Sequence, residues 1–529
     1  MTDTALNIAF AYEQISRGQK LSRDQVESLC QQDIPSFQLA ALATQMLLTG
    51  AAVTDALDVV ESGADPMSTR RLLGAAALVD VDNSVTDTYG RLLKETFDGR
   101  PLGASKIRAL VDHVVSGDID TDFLAIWTSL LLRRELMPAE VRALTLALAN
   151  SGEIYDYRDS PALRGRHLLR RYPTGAVSEK LALLLPALIS ACRHEWPVAS
   201  TFLVARSLSF TGGTWDKLAV IDGFSFPQPG TPTLEVVDAC GVAMVVTSHD
   251  CCPADRILYQ FRSATGTVPS KTLMISSIAS KQLALPVDTL LLDARYGQGA
   301  FMMTRTLATE VADRIAEYVG EFGTNVRAVF TGTSSPTGSA VGNALEVAEA
   351  VAVLNPSSRD ADRWNRRGIE AQRNLLVDMF ADLMAAQFPG KGREEFSHLG
   401  ERLIATGAAG EAFSSLLEAH GVEAAVASEL TKDPLRTLGI ATRPTATVRA
   451  SSAGTVSAVD QRTIGNVVTF KLGAGSNQYL PGHDATGGVE IIVRPGDAVE
   501  VGTEVAYVYS TDAVGDDLSD TLSGCFRVA

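Results

Sequence analysis

Residues Arg170–Ala191 read RRYPTGAVSEKLALLLPALISA. A Thr-Gly turn running straight into an apolar helix is the usual way to aim free backbone N–H groups at an anion. This loop has one glycine where such a loop prefers two. It also has Pro173 where a hydroxyl or amide donor would be useful.

The flanking sequence sets the fold class. From about residue 167, short apolar or β-branched runs (TFLVARSL, LEVVDACGVAMVVTS, DTLLLDARYG, NVRAVFTG) alternate with helical spacing. That alternation predicts an α/β core built on a largely parallel sheet. Helical spacing dominates again from about 340 to 435. After RTLGIATRPTATVRAS the chain is rich in strand signals and glycine (AGTVSAVD, GNVVTFKLGAG, GGVEIIVRPGDAVEVGTEVAYVYS), which predicts a small β-rich domain with turns at Pro-Gly and Val-Gly.

Upstream, residues 1 to about 165 show helical spacing punctuated by Gly, Pro, Asn and Asp. Two stretches resemble each other: FQLAALATQMLLTGAAVTDALDVVESG near 37–63 and DFLAIWTSLLLRRELMPAEVRALTLALANSG near 122–152. Either the first hundred residues are an imperfect copy of the next fifty, or two amphipathic hairpins happen to look alike. The sequence leaves both open.

Composition narrows the function. A chain of 529 residues, 46% hydrophobic and 20% charged, is long enough for several domains with sizeable cores. Its net charge of −16 argues against general affinity for nucleic acid or anionic membranes, so an anion needs a locally basic pocket. The six cysteines show no CxxC pair and no metal-ligand spacing, and the vicinal Cys251-Cys252 reads as two buried thiols. The N-terminus lacks a basic n-region, and the longest greasy run, LALLLPALI, is too short to span a bilayer. The expectation is a soluble, cytoplasmic protein without a metal.

Four further segments then fall in order: RRYPTGAVSEK; ARSLSFTGGTWDKLAVIDGF; YQFRSATGTVPSKTLMISSIASKQLA followed by DTLLLDARYGQGAFMMT; and AVFTGTSSPTGSAVGNALEVAEAV. With RALTLALANSGEIYDY before them and Pro253-Ala254-Asp255 between, the sequence resembles the pyrimidine-nucleoside and thymidine phosphorylases from about 105 to 515. The resemblance implies a helical base-side domain (101–166 with about 254–284) and an α/β phosphate-side domain (167–253 with about 285–440). It also implies the β-rich domain over 441–529, and it leaves 1–100 as an extra N-terminal helical region. It implies a homodimer built through the helical domain, a pyrimidine nucleoside or base as ligand, phosphate as co-substrate and no cofactor.

Carried over residue by residue, the resemblance places Arg262, Ser277 and Lys281 on the positions that read the pyrimidine ring, and Tyr259 beside the sugar. Independently, Ser277 and Lys281 lie four apart in a helical stretch and share a face, while Arg262 supplies a planar fork of donors. A departing pyrimidine carries developing negative charge. Two cations and a hydroxyl around the ring, above all Arg262 and Lys281, stabilise that anion more than the neutral ground state.

On the phosphate side the family pattern Lys-His-Ser-Thr-Gly-Gly is here Arg171, Tyr172, Pro173, Thr174, Gly175, Ala176. Arg171, Thr174, Gly175 and, in the intact TGGT turn, Thr214 remain as phosphate-binding candidates. Tyr172 occupies the position of the family's histidine and is a catalytic candidate only by that position, since the titratable ring is lost. Ala182 and Val204 stand where the family has serines. Ser178 is a helix cap or an anion contact, and Arg206 reads as structural. His249 with Asp250 is either a new acid/base pair or a solvated loop histidine. Loss of several charge-assisted donors, each worth about 1.5–3 kcal/mol, predicts weakened use of phosphate. Three readings follow: a phosphorylase-type pentosyltransferase with weakened phosphate use, a hydrolase or transferase with another acceptor, and a non-catalytic pyrimidine-binding relative.

Overall fold

The computed structural model describes residues 8–76, 78, 88–334, 336–474 and 484–529. The chain divides into two compact units, Met1–Ile154 with His249–Ala284, and Tyr155–Ser248 with Leu285–Ala529.

The first unit opens with α1 (Ile8–Ser16), α2 (Arg23–Cys30), α3 (Ser36–Leu48), α4 (Val53–Glu61), α5 (Pro66–Ala75), α6 (Thr88–Asp98), α7 (Ala104–Ser116), α8 (Thr121–Leu130) and α9 (Pro138–Ala149). Local chemistry sets several starts: Ser22 and Gln25 form a capping box on α2, Asp120 caps α8 through the Phe123 amide, and Pro66 and Pro138 open α5 and α9. The apolar helices α3 and α8 are buried on nearly every side, so they form the centre of this unit.

The second unit begins with β1 (His167–Pro173), α10 (Leu181–Cys192), β2 (Val198–Val204), α11 (Thr214–Ala219), α12 (Thr231–Cys240) and β3 (Val242–Val246). The chain returns to the first unit as α13 (Pro253–Ala264) and α14 (Lys271–Ala284). It then resumes the second with β4 (Thr289–Tyr296), α15 (Arg305–Gly320), β5 (Asn325–Gly332), β6 (Ala340–Val341) and α16 (Asn343–Leu354). The sheet order is β3-β2-β1-β4-β5, parallel throughout. Its strands are continuous buried runs such as LLLDA in β4, as a sheet covered on both faces requires. Strand order reverses between β1 and β4. The loop that leaves β1 therefore sits at the carboxyl edge of the sheet, at the switch point where open α/β sheets bind ligands.

Helices fill most of 366–437. The C-terminal strands β7 (Ala446–Arg449), β8 (Gly454–Val459), β9 (Gly488–Ile491), β10 (Ala498–Val499), β11 (Glu504–Tyr509) and β12 (Phe526–Val528) form two small sheets, β6-β9-β11-β7 and β10-β8-β12. The expected turns appear at Gly496 and Gly502, both with positive φ.

Two segments read as strand are helical. In LEVVDAC, Pro232 opens α12, left-handed Gly241 ends it, and Val237 and Cys240 bury one face. In GNVVTFK, Asp460 accepts from the Thr463 amide and starts a helix that buries Ile464, Val467 and Val468. Capping and one-sided burial overrode the β-branched composition in both. Among the described residues no helix is long and apolar enough to cross a membrane, and no disulfide joins the six cysteines.

Candidate active site

In the first unit α13 and α14 carry the base-side candidates. Cys252, in the left-handed region, delivers the chain into Pro253, and Asp255 falls in the first turn of α13. The Lys281 ammonium pairs with the Asp255 carboxylate, donates to Ser277 Oγ at 2.8 Å and lies 4.9 Å from the centre of the Tyr259 ring. Ser277, Lys281, Tyr259 and Asp255 thus meet at one point, with the cation buried. Arg262, also buried, donates to the Val268 carbonyl at 2.7 Å and the Leu273 carbonyl at 3.1 Å. Asp255 had no role in the sequence reading. Its signal was the Pro-Ala-Asp start of α13, which fixes a carboxylate one turn before Tyr259. His249 is exposed, and its Nδ1 lies 3.2 Å from the Arg256 guanidinium.

In the second unit the loop after β1 is tied down by its own groups. Thr174 N donates to the Asp293 carbonyl at 3.0 Å and Val177 N to Gly299 O at 2.9 Å, while Thr174 Oγ1 accepts from the Arg295 amide at 2.8 Å. Gly175 takes φ of 99°, and a Cβ there would meet the Phe301 ring at 3.0 Å. Ser178, at φ of 59°, donates to Ala340 O at 2.8 Å. Tyr172 is half-buried on β1, and Thr214 is half-buried at the start of α11. Arg206 is exposed and stacks 3.7 Å over Trp215. Ala182 and Val204 are buried in α10 and at the end of β2.

Arg171 lies inside the unit, its side chain fully buried. It bonds to Asp293 and, at 3.0 Å, to Glu179; Arg295 meets Asp293 at 2.6 Å and Glu179 at 3.5 Å. Lys217 pairs with Glu346 at 2.7 Å and Lys180 with Glu349 at 3.0 Å. Four cations therefore face four carboxylates, and each is matched within the protein. Burial would raise the Glu179 and Asp293 carboxyls, but Arg171 and Arg295 hold both below the usual carboxylate range. Burial likewise lowers the Arg171 guanidinium, yet Glu179 and Asp293 outweigh it and raise it. Sequence reasoning found Arg171, but not the carboxylates that close around it.

No family model matches the chain. Pyrimidine-nucleoside phosphorylase of Staphylococcus haemolyticus (strain JCSC1435) is 30% identical over 437 residues, covering 83% of this chain and 95% of that protein. The chain belongs to the pyrimidine-nucleoside and thymidine phosphorylase family. Thymidine phosphorylase of Mesorhizobium japonicum is also 30% identical, over 79% of this chain and 90% of its own. Among solved structures, anthranilate phosphoribosyltransferase from Thermus thermophilus has a TM-score of 0.46 and 14% identity, over 62% of this chain and 98% of its own. The family is one of pentosyltransferases, and the fold is its helical plus α/β arrangement.

Proposed function

We propose that this chain cleaves the N-glycosidic bond of a pyrimidine nucleoside or deoxynucleoside, in the cytoplasm and without a cofactor, and that it uses orthophosphate weakly. The observation that carries the reading is Lys281. Its ammonium stands beside Ser277 Oγ and the Tyr259 ring, with Asp255 holding it in place. A buried cation next to a hydroxyl and an aromatic face suits a planar base that gains negative charge as the glycosidic bond breaks. Arg262, on the same pair of helices, is the second cation of that reading, and its guanidinium is also held by the Val268 and Leu273 carbonyls.

The reading of weakened phosphate use rests on the neutral cluster beneath the loop. A phosphate at Thr174, Gly175 and Thr214 finds Arg171 already engaged by Glu179 and Asp293. This favours, as second reading, cleavage with water or another acceptor. The test is base release from uridine, thymidine and deoxyuridine with and without phosphate. Release that depends on phosphate supports the phosphorylase reading, and release without it supports the second. Base binding with no release in either case would mean a non-catalytic relative.

A further inference from the structure

The four helices α1–α4 and the four helices α6–α9 repeat one another in details that chance similarity does not supply. Both first helices end in the same C-terminal motif, with Gly18 and Gly99 at positive φ. Gly18 N bonds to Ile15 O and Gln19 N to Gln14 O; Gly99 N bonds to Thr96 O and Arg100 N to Glu95 O. Each glycine is followed three residues later by a leucine, Leu21 and Leu102. Both third helices follow an Asp-Ile pair, Asp33-Ile34 and Asp118-Ile119, and carry Leu-Ala at matching places, Leu39-Ala40 and Leu124-Ala125. Both fourth helices end in Ser-Gly, where Ser62 Oγ bonds to Val59 O and Ser151 Oγ to Leu148 O, each at 2.7 Å.

The spacing between matched residues grows from 81 at Gly18 and Gly99, to 85 at Asp33 and Asp118, to 89 at Ser62 and Ser151. Each step adds four residues, about one helical turn, so buried faces keep their direction. The added turns fall in α7, of 13 residues against 8 in α2, and in α9, of 12 against 9 in α4. Two helix pairings repeat: α1 lies on α3 and α2 on α4, as α6 lies on α8 and α7 on α9, while α4 also packs on α3 and α9 instead packs on α14.

The two copies meet through equivalent helices. Ser36 matches Thr121, and its hydroxyl donates to Asp122 at 2.8 Å; Gln45 matches Leu130, and its amide donates to Ser129 at 3.3 Å. Each reaches within one residue of its own counterpart, at points about 14 Å apart along the helix. So α3 and α8 run parallel and in register, the arrangement a two-fold axis between them produces. That is the geometry of an isologous dimer interface, here made within one chain. The first copy also reaches the turn after α13: Gln38 donates to Ala264 O at 2.7 Å, Gln45 to Thr265 O at 2.8 Å, and Phe37 stacks on Phe261 at 5.1 Å.

We propose that residues 8–63 are an internal duplicate of the helical module 88–152, seated on it as a second protomer would be, so that the protein is a self-contained monomer. The duplicate covers α8 and braces the end of the helix that carries Tyr259 and Arg262. This replaces the homodimer implied by the family resemblance, and it does not depend on which reaction the chain performs.

Sedimentation and light scattering of the full chain, from nanomolar to high micromolar, test it. One species near 56.2 kDa is expected, and a species of twice that mass overturns the proposal. A second measurement locates the seam: Ser36→Cys with Asp122→Cys, in a Cys30→Ser background, should oxidise to an intrachain cross-link that runs as a monomer on a non-reducing gel. A dimer band overturns the proposal, and so does a folded variant that forms no cross-link. The mass of the unaltered chain stands as a test even if the variant does not fold.

Discussion

Two buried clusters of charge, one in each unit, use their cations in opposite ways. On α14 the Lys281 ammonium pairs with Asp255, donates to Ser277 Oγ at 2.8 Å and to the Ser277 carbonyl at 3.2 Å, and lies beside the Tyr259 ring. Beneath the loop after β1, four cations are matched by four carboxylates, and the loop amides of Thr174 and Val177 are bonded to β4 and the loop that follows it. The first cluster gathers a cation, a hydroxyl and an aromatic face from two helices at one point. The second balances its charges internally and holds the loop, β1 and β4 together, while Arg171 Nε and Nη1 are buried with no hydrogen-bond partner among the described residues. A basic residue in family register is therefore no guide to an anion site until its carboxylate partners are known.

Removing one carboxylate from the cluster beneath the loop should cost the most stability. Asp293→Ala leaves Arg171 and Arg295 facing Glu179 alone, inside the protein. Stranding a buried charge costs about 3–5 kcal/mol, so denaturant unfolding should show a loss of that order. A loss under about 1 kcal/mol, the scale of an exposed pair, would mean the cluster is not closed.

Acid separates the cluster from a buried ring, His420, that has no ion pair among the described residues. His420 accepts from Met244 N at 2.9 Å and shares its other ring nitrogen with Leu416 O at 2.8 Å, and burial pushes the ring down to about 4. Its folded value lies below the ordinary value of about 6.5, so the unfolded chain binds the proton more readily. Stability from this site is complete above about pH 6.5 and falls by about 3 kcal/mol as pH drops to 4. The depressed carboxylates Glu179 and Asp293 keep their contribution until pH falls below about 4, and lose it as they protonate. Unfolding followed against pH should show both phases, and His420→Gln should flatten only the upper one.

The open cluster is tested by binding. Lys281→Ala removes the cation and leaves Asp255 buried without it, and calorimetry with uracil or thymine should show affinity reduced about tenfold to a hundredfold, the value of one charged hydrogen bond. Asp255→Asn should weaken binding less, because Ser277 and Tyr259 still hold the ammonium. Unchanged binding in both would remove the assignment of this cluster to the base.

Much of the fold was legible because it rests on local signals. The apolar runs of β2, β3, β4 and β5 and the Gly-punctuated helices before residue 165 follow directly from periodicity. LEVVDAC and GNVVTFK were misread because β-branched residues suit either state, and a cap and a buried face decided the matter. In the site, Ser277 and Lys281 were legible as an i, i+4 pair. The partners that decide what each cation does were not: Asp255 lies 26 residues from Lys281 and Asp293 lies 122 from Arg171, and sequence carries no signal for pairings made by tertiary packing. The duplication was visible but undecided, because hydrophobic pattern alone does not separate a copy from a second amphipathic hairpin.

The smallest expected effect is a gain, and it addresses the loop directly. Tyr172 is half-buried on β1 and Pro173 ends that strand, opposite Asp293 of β4. Tyr172→His with Pro173→Ser returns a group that titrates near neutral pH and a hydroxyl to the mouth of the loop. It leaves untouched the ion pairs of Arg171 with Glu179 and Asp293. If lost donors alone limit phosphate use, each restored charge-assisted bond is worth about 1.5–3 kcal/mol, and phosphate-dependent base release should rise at least about tenfold. If the self-neutralised cluster is the limit, the double variant stays near the wild-type rate, because no cation has been released. A wild type that already turns over with phosphate at about 1–1000 per second would show that Thr174, Gly175 and Thr214 suffice. The closed cluster would then be the scaffold of a working phosphate site, and not the reason for a weak one.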